Sequence, residues 1–188
     1  MARQLSTSVS DFVLALSVFY AVFIFYNNAQ YFAAVGLLLQ GIAASVGVVR
    51  FASLRSEMGP VFRTHKFLSW LATAAGVPIL SFQFCTNYEA EITSHLLLAF
   101  SGLVTLSAQF MNAENKQLFT QASSGLGMLI ILILSISYTN INGIIAGLIY
   151  VLTGAIIGSE GNILGILRVD ILHYGLVAGN VFFMWSLP

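Results

Sequence analysis

The run from Asp11 to Arg50, DFVLALSVFYAVFIFYNNAQYFAAVGLLLQGIAASVGVVR, decides the fold. Two apolar stretches flank the polar break Tyr26-Asn27-Asn28-Ala29-Gln30. A helix crosses a bilayer core with roughly 17–25 apolar residues, and each stretch is long enough. The segment therefore predicts two membrane helices joined by a tight turn. The first stretch follows Arg3, as the core of a signal peptide would. The break after it offers no small-residue cleavage site, so an uncleaved first span is expected.

Outward from this pair, seven segments qualify or nearly do: approximately 11–27, 31–50, 66–84, 92–111, 121–138, 143–158 and 169–187. The fifth and sixth are short and are separated by Thr139-Asn140-Ile141-Asn142-Gly143. Merging or burying one segment as a re-entrant hairpin gives a six-span alternative. Connections are short except Phe51 to His65, which leaves no room for a soluble domain. The expected fold is all-α: a compact, polytopic bundle of seven transmembrane helices forming one membrane-embedded domain over residues 1–188.

Composition points the same way. Of 188 residues, 58% are hydrophobic and only 7% charged, with a mean hydropathy of +0.90. A soluble domain carries about 25% charged residues to cover its surface. Seven Lys and Arg balance seven Asp and Glu, so the chain lacks the basic face that nucleic acid requires. The single cysteine, Cys85, excludes an internal disulfide framework.

The balance hides an asymmetry. With seven spans threaded, Arg3, Arg50, Arg55, Arg63, Lys66, Lys116 and Arg168 all fall on the N-terminal side. Glu89 and Glu91 fall on the other. Dropping an early span would scatter the basic residues across both faces. The positive-inside rule then predicts a cytoplasmic N-terminus and an exoplasmic or lumenal C-terminus. Tyr26, Tyr31, Phe32, Phe84, Tyr88, Tyr138 and Trp185 gather near the exoplasmic side, with Trp70 and Tyr174 near the cytoplasmic side, as an interfacial aromatic belt does.

Spans 1–3 and 5–7 share a faint internal likeness. Tyr26 and Asn28 recur as Tyr138 and Asn140; Gly36, Leu37, Ala44 and Gly47 recur as Gly147, Leu148, Ala155 and Gly158; His65 recurs as His173. A three-plus-one-plus-three parallel repeat is a transporter plan. In plan alone the chain resembles the seven-helix sugar transporters. Those carry a Pro-Gln pair and begin outside, whereas Pro78 is followed here by Ile79 and the N-terminus reads as inside.

Small residues four apart let membrane helices approach closely. Gly143/Gly147, Gly154/Gly158, Gly161/Gly165 and Gly175/Gly179 crowd the last third. Residues 143, 147, 154, 158, 161 and 165 are expected to share one face of a close-packed sixth helix. Pro78, inside span three, removes a backbone donor and frees a carbonyl one turn earlier, near Ala74.

Polar groups are expensive in lipid and so mark candidate sites. Gln40 and Asn180 fall near mid-span, as interhelical clasps or as the lining of a solute path. Ser101, Thr105 and Gln109 follow one side of span four. Glu91 and His95 (i, i+4) open span four, Asp170 and His173 (i, i+3) open span seven, and His65 beside Lys66 opens span three. A carboxylate with an imidazole suits a metal, a proton relay or interfacial helix capping. The inventory of His65, His95, His173 and Asp170 is similar to that of seven-helix intramembrane hydrolases of the ceramidase and adiponectin-receptor type, which place three His, an Asp and a Ser around zinc. It lacks their paired histidines in the last span, and His95 opens on the opposite side from His65 and His173.

The expected function is that of a channel- or transporter-like protein for an ion or small polar solute, homo-oligomeric in its bilayer. The alternatives are a structural or assembly subunit of a larger membrane complex and an intramembrane metal-dependent lipid hydrolase. Nucleophile motifs, phosphate loops and dinucleotide fingerprints are absent, so no catalytic residue, cofactor or metal ligand is assigned. The candidate pathway or mouth residues are Gln40, Asn180, Pro78, His65, Asp170, His173, Glu91 and His95.

Overall fold

The computed structural model describes residues 4–53 and 59–187. Arg3, Arg55 and Pro188 lie outside them, and of Gln109 only the backbone is described. Seven helices make up most of the described chain: α1 Leu5–Asn27, α2 Tyr31–Ala52, α3 Pro60–Asn87, α4 Glu91–Ser107, α5 Ala113–Ser137, α6 Ile141–Ile157 and α7 Arg168–Ser186. α1, α2, α3 and α5 are long and apolar enough to cross a membrane, and α4 and α6 are shorter apolar helices. Among the described residues, the one strand pairing is an antiparallel ladder, β1 Asn162–Ile163 with β2 Ile166–Leu167, between α6 and α7.

Helices extend past the apolar runs where the local sequence caps them. Pro60 opens α3 in its first turn, where a missing N–H costs nothing. This puts the helix start six residues before the expected span. The Asn112 side chain accepts from the Asn115 N–H (2.8 Å) and starts α5 at Ala113, eight residues before the apolar segment.

Three of the interhelical turns are the same turn. Ala29, Glu89 and Thr139 each sit at positive φ (59°, 56° and 53°). At each, the next amide reaches back to a carbonyl five residues earlier: Gln30 to Phe25, Ala90 to Cys85 and Asn140 to Ser135. This is the Schellman closure, with a left-handed residue just past the helix. All three turns lie at the end of the bundle remote from the N-terminus, called here the far end.

α1 packs on α2, α2 on α3, α3 on α5, α5 on α6, α6 on α7, and α7 back on α1. α4 stands outside this ring, against α3 and α5. Glycines set several of the contacts. A Cβ on Gly36 would lie 2.6 Å from the Gly76 carbonyl, and one on Gly76 2.8 Å from that of Gly36, so α2 and α3 touch backbone to backbone. Gly143 and Gly147 bring α6 onto Ser135 and Leu132 of α5, and Gly175 and Gly179 bring α7 onto Thr153 and Tyr150 of α6. The expected glycine face on the sixth helix stops early. Gly158, Gly161 and Gly165 follow the helix with φ of 64°, 88° and 84°, serving the chain reversal and the hairpin. Gly154 meets no neighbour within 4 Å.

Two helices carry a π-turn, Ala72–Gly76 in α3 and Leu152–Ile157 in α6. The first directly precedes Pro78. The Ala74 carbonyl, four residues before that proline, accepts instead from the Ser123 hydroxyl of α5 (2.9 Å). The core holds Phe25, Phe84 and Phe183. Large apolar side chains such as Ile92, Leu96, Leu103 and Leu106 of α4 are exposed, while Asp11, Asp170 and Asn180 are buried. A surface this apolar over a partly polar interior suits lipid better than water.

Candidate functional site

A cavity of about 880 Å³ opens among α3, α5, α6 and α7. Its rim carries Gln117, Ser159, Glu160 and Arg168, and its walls include Thr73, Gln121, Ser124 and Gly154. Both π-turns border it through Ala72, Thr73 and residues 154–157. π-turns often occur at functional sites. α5 and α6 touch near the far end, at Gly143 and Gly147, and part around the open face of Gly154.

The cavity reaches Gln40 and Tyr150. The Asn180 side-chain amide donates to Gln40 Oε1 (3.2 Å). The Tyr150 hydroxyl contacts both Gln40 Oε1 (3.2 Å) and Asn180 Oδ1. Tyr150 has one hydroxyl hydrogen and so donates to one of these acceptors at a time. Gln40 and Asn180, 140 positions apart, thus meet across α2 and α7 with α6 between them. Tyr150 is the member that sequence reasoning missed: a tyrosine in an apolar helix carries no sign of where its hydroxyl points.

Beyond this triad the far end is closed. Phe84 and Tyr150 each pack edge-on against Phe183. Tyr88 and Tyr138 stack at 4.3 Å. Asn140 donates to the Tyr88 hydroxyl (2.8 Å) and to the Ser186 carbonyl (2.6 Å), and Asn87 donates to Gln30 (3.0 Å). Phe84 is fully buried and belongs to the core rather than to the expected aromatic belt.

At the opposite, near end four helices bury a charged cluster. Asp11 of α1 and Asp170 of α7 are almost wholly enclosed. His173 Nε2 lies 3.5 Å from Asp11 Oδ1, and His173 Nδ1 lies 2.9 Å from Ser10 Oγ. Ser10 also contacts Asp170 Oδ1 (3.2 Å) and the Thr7 carbonyl (3.0 Å). Arg50 of α2 donates to His65 Nδ1 (2.8 Å), its guanidinium set against the rings of Phe51 and Phe62. Gly47 makes the convergence fit: a Cβ there would lie 2.7 Å from Asp11 Cγ and 2.9 Å from His65 Nε2.

His65, Asp170 and His173 therefore meet at one end, through partners that helical spacing did not name. Asp170 and His173 are linked through Ser10, and His65 pairs with Arg50 rather than Lys66. Asp11 was not singled out. It stands at the head of an apolar run behind Ser6, Thr7, Ser8 and Ser10, where an acid reads as an interfacial residue. α1 starts at Leu5, so Asp11 lies in its second turn, facing α7. The serine run before it was the available signal.

The remaining candidates stand apart. His95 is exposed, and its Nδ1 meets the Glu91 backbone carbonyl (2.7 Å) rather than the carboxylate. Glu91 opens α4, where an acid complements the helix dipole. Ser101 donates to its own helix at Leu98. Pro78 is buried against Gly127 of α5. Among the described residues no three His, Cys, Asp or Glu side chains converge closely enough to hold a metal ion. Compared with known families, characterised proteins and solved structures, the chain matches none.

Proposed function

We propose that the chain is a membrane transport protein for a small, uncharged polar solute, with seven spans and a cytoplasmic N-terminus. The observation that carries this reading is a cavity that ends on Gln40 and Tyr150, two members of a polar triad whose third, Asn180, lies behind them, while the far end is packed shut. Its volume of about 880 Å³ falls within the roughly 300–1,000 Å³ of small-molecule sites. Gln40, Tyr150 and Asn180 offer amide and hydroxyl groups able to exchange their mutual bonds for bonds to a solute. None is charged, which favours a neutral solute over a bare ion, whose desolvation they could not offset.

The basic residues support a cytoplasmic cavity mouth under the positive-inside rule, and with it an inward-open reading of the geometry. The ring order supports the three-plus-one-plus-three plan. Exchanging α1–α3 with α5–α7 maps the α3–α5 contact onto the α7–α1 contact and leaves α4 as the outer linker. The cavity is built by one chain, so the reading needs no second copy.

Purified protein in liposomes tests it. Uptake from a panel of radiolabelled sugars, polyols, amides and amino acids is expected for at least one solute. Tyr150→Phe and Asn180→Leu should each lower that uptake about tenfold or more, by removing a hydrogen bond worth roughly 1.4 kcal/mol in the bound state. Absence of flux for every solute tested overturns the reading.

A further inference from the structure

The near-end cluster takes no part in the cavity, yet it holds chemistry that packing does not need. Ser10, His173 and Asp11 have the composition of a hydrolytic triad. Ser10 is fully buried and lies away from the cavity, so no acyl group can reach it. The features that remain are a count of hydrogens and a count of charges.

Consider the hydrogens first. An arginine can only donate, so the Arg50 contact makes His65 Nδ1 an acceptor and places that ring's hydrogen on Nε2. That nitrogen meets the Ser69 hydroxyl (3.4 Å) and faces Gly47, against which Asp11 also packs. On the other side, when Ser10 donates to Asp170, His173 Nδ1 must donate to Ser10. His173 Nε2 and Asp11 Oδ1 then face each other across 3.5 Å as two acceptors, unless one hydrogen lies between them. Asp11 Oδ2 is buried with no hydrogen-bond partner.

The charges agree. Among the described residues, the groups facing Asp11 are Arg50 from α2, His65 from α3, and Asp170 and His173 from α7. Arg168 turns away to the Ile156 carbonyl of α6, and Arg63 and Lys66 are exposed. Two carboxylates against one guanidinium leave these described groups one positive charge short of neutrality. An uncompensated buried charge is costly, and one proton supplies the difference.

We propose that Asp11 and His173 bind one exchangeable proton, and that its binding and release link solute movement in the adjacent cavity to a proton gradient. α7 makes the connection. It carries Asp170 and His173 in the cluster, Leu172 and Leu176 in the cavity wall and Asn180 in the triad. His173 and Asn180 are two turns apart, about 10 Å along one helix. The coupling half of the inference rests on the transport reading; the binding half does not.

Infrared difference spectroscopy of the full chain in nanodiscs, titrated between roughly pH 4 and pH 9, tests the binding half with no solute present. The wild type should show a carboxylic-acid C=O band that titrates as a single group. Asp11→Asn should abolish it. His173→Gln keeps the carboxyl and should move the midpoint by about one pH unit or more, a tenfold change in proton affinity. This second variant decides the matter if Asp11→Asn does not fold. No titrating carboxyl band, or the same band and midpoint in every variant that folds, overturns the proposal. So does stoichiometric zinc, found by elemental analysis and lost in Asp11→Asn. In liposomes, uptake by the wild type should rise with an imposed proton gradient, and uptake by His173→Gln should not. A titrating band without any flux defeats the transport reading and leaves the proton site standing. Flux without the band does the reverse.

Discussion

Gly47 has no side chain, and the Asp11 carboxyl and the His65 ring occupy the space one would fill. Gly47→Ala would drive a methyl group into both. Overpacking of this kind costs roughly 1–3 kcal/mol. A marked fall in melting temperature in detergent is expected. Gly102→Ala is the control: no atom lies within 4 Å of the added Cβ, and a mid-helix alanine should stabilise by about 0.5–1 kcal/mol. At this scale the sequence was legible where cost betrayed a residue. Gln40 and Asn180 were visible as amides in apolar runs, and the structure joins them. Tyr150 and Asp11 were not, because a tyrosine is at home in a membrane helix and an acid is at home at a helix start. Their partners lie 110 and 162 positions away, at Gln40 and His173, and no local pattern encodes such distances.

Among the elements, α3 shows how a broken backbone rule is compensated. Pro78 withholds an N–H from Ala74, the helix passes through a π-turn, and the Ser123 hydroxyl of α5 takes the carbonyl. Ser123→Ala leaves that buried carbonyl bare, at about 1–3 kcal/mol. In a Pro78→Ala background, where residue 78 regains its donor, the same change should cost less. A double-mutant cycle of unfolding free energies measures the difference, and equal costs in both backgrounds would refute the link. The freed carbonyl was readable from Pro78 alone; its serine partner, 49 positions on, was not. The three matching turns allow a second comparison. Thr139, β-branched and at positive φ, pays more for that conformation than Ala29 does. Thr139→Gly should therefore raise the melting temperature more than Ala29→Gly. The recurrence of Tyr26 and Asn28 as Tyr138 and Asn140 falls at two of these turns but two residues out of register, since Ala29 corresponds to Thr139 and Gln30 to Asn140. The third, at Glu89, shares only Asn87 with Asn27 and Tyr88 with Tyr138, too short a match to mark a turn whose closure is made by backbone amides.

For the whole molecule, the testable quantity is orientation. Cys85 is fully buried, so the wild-type chain should resist a membrane-impermeant maleimide in intact cells. In a Cys85→Ser background, Glu91→Cys should label at once, and Ser159→Cys only after permeabilisation. The opposite order would invert the proposed topology. Hydropathy gave the number of helices and their alternating course, since both follow from apolar length. It could not give the ring order, which depends on which glycine faces which neighbour. That ring has a consequence for how the chain is made. A ribosome delivers α1 before α7, so Asp11 and Ser10 emerge long before His173 and Asp170 exist. Until α7 arrives, α1 presents an acid without its imidazole. A chain truncated before residue 168 keeps that defect permanently, and membrane quality-control proteases that recognise unpaired polar groups in lipid have a ready mark by which to tell unfinished copies from finished ones.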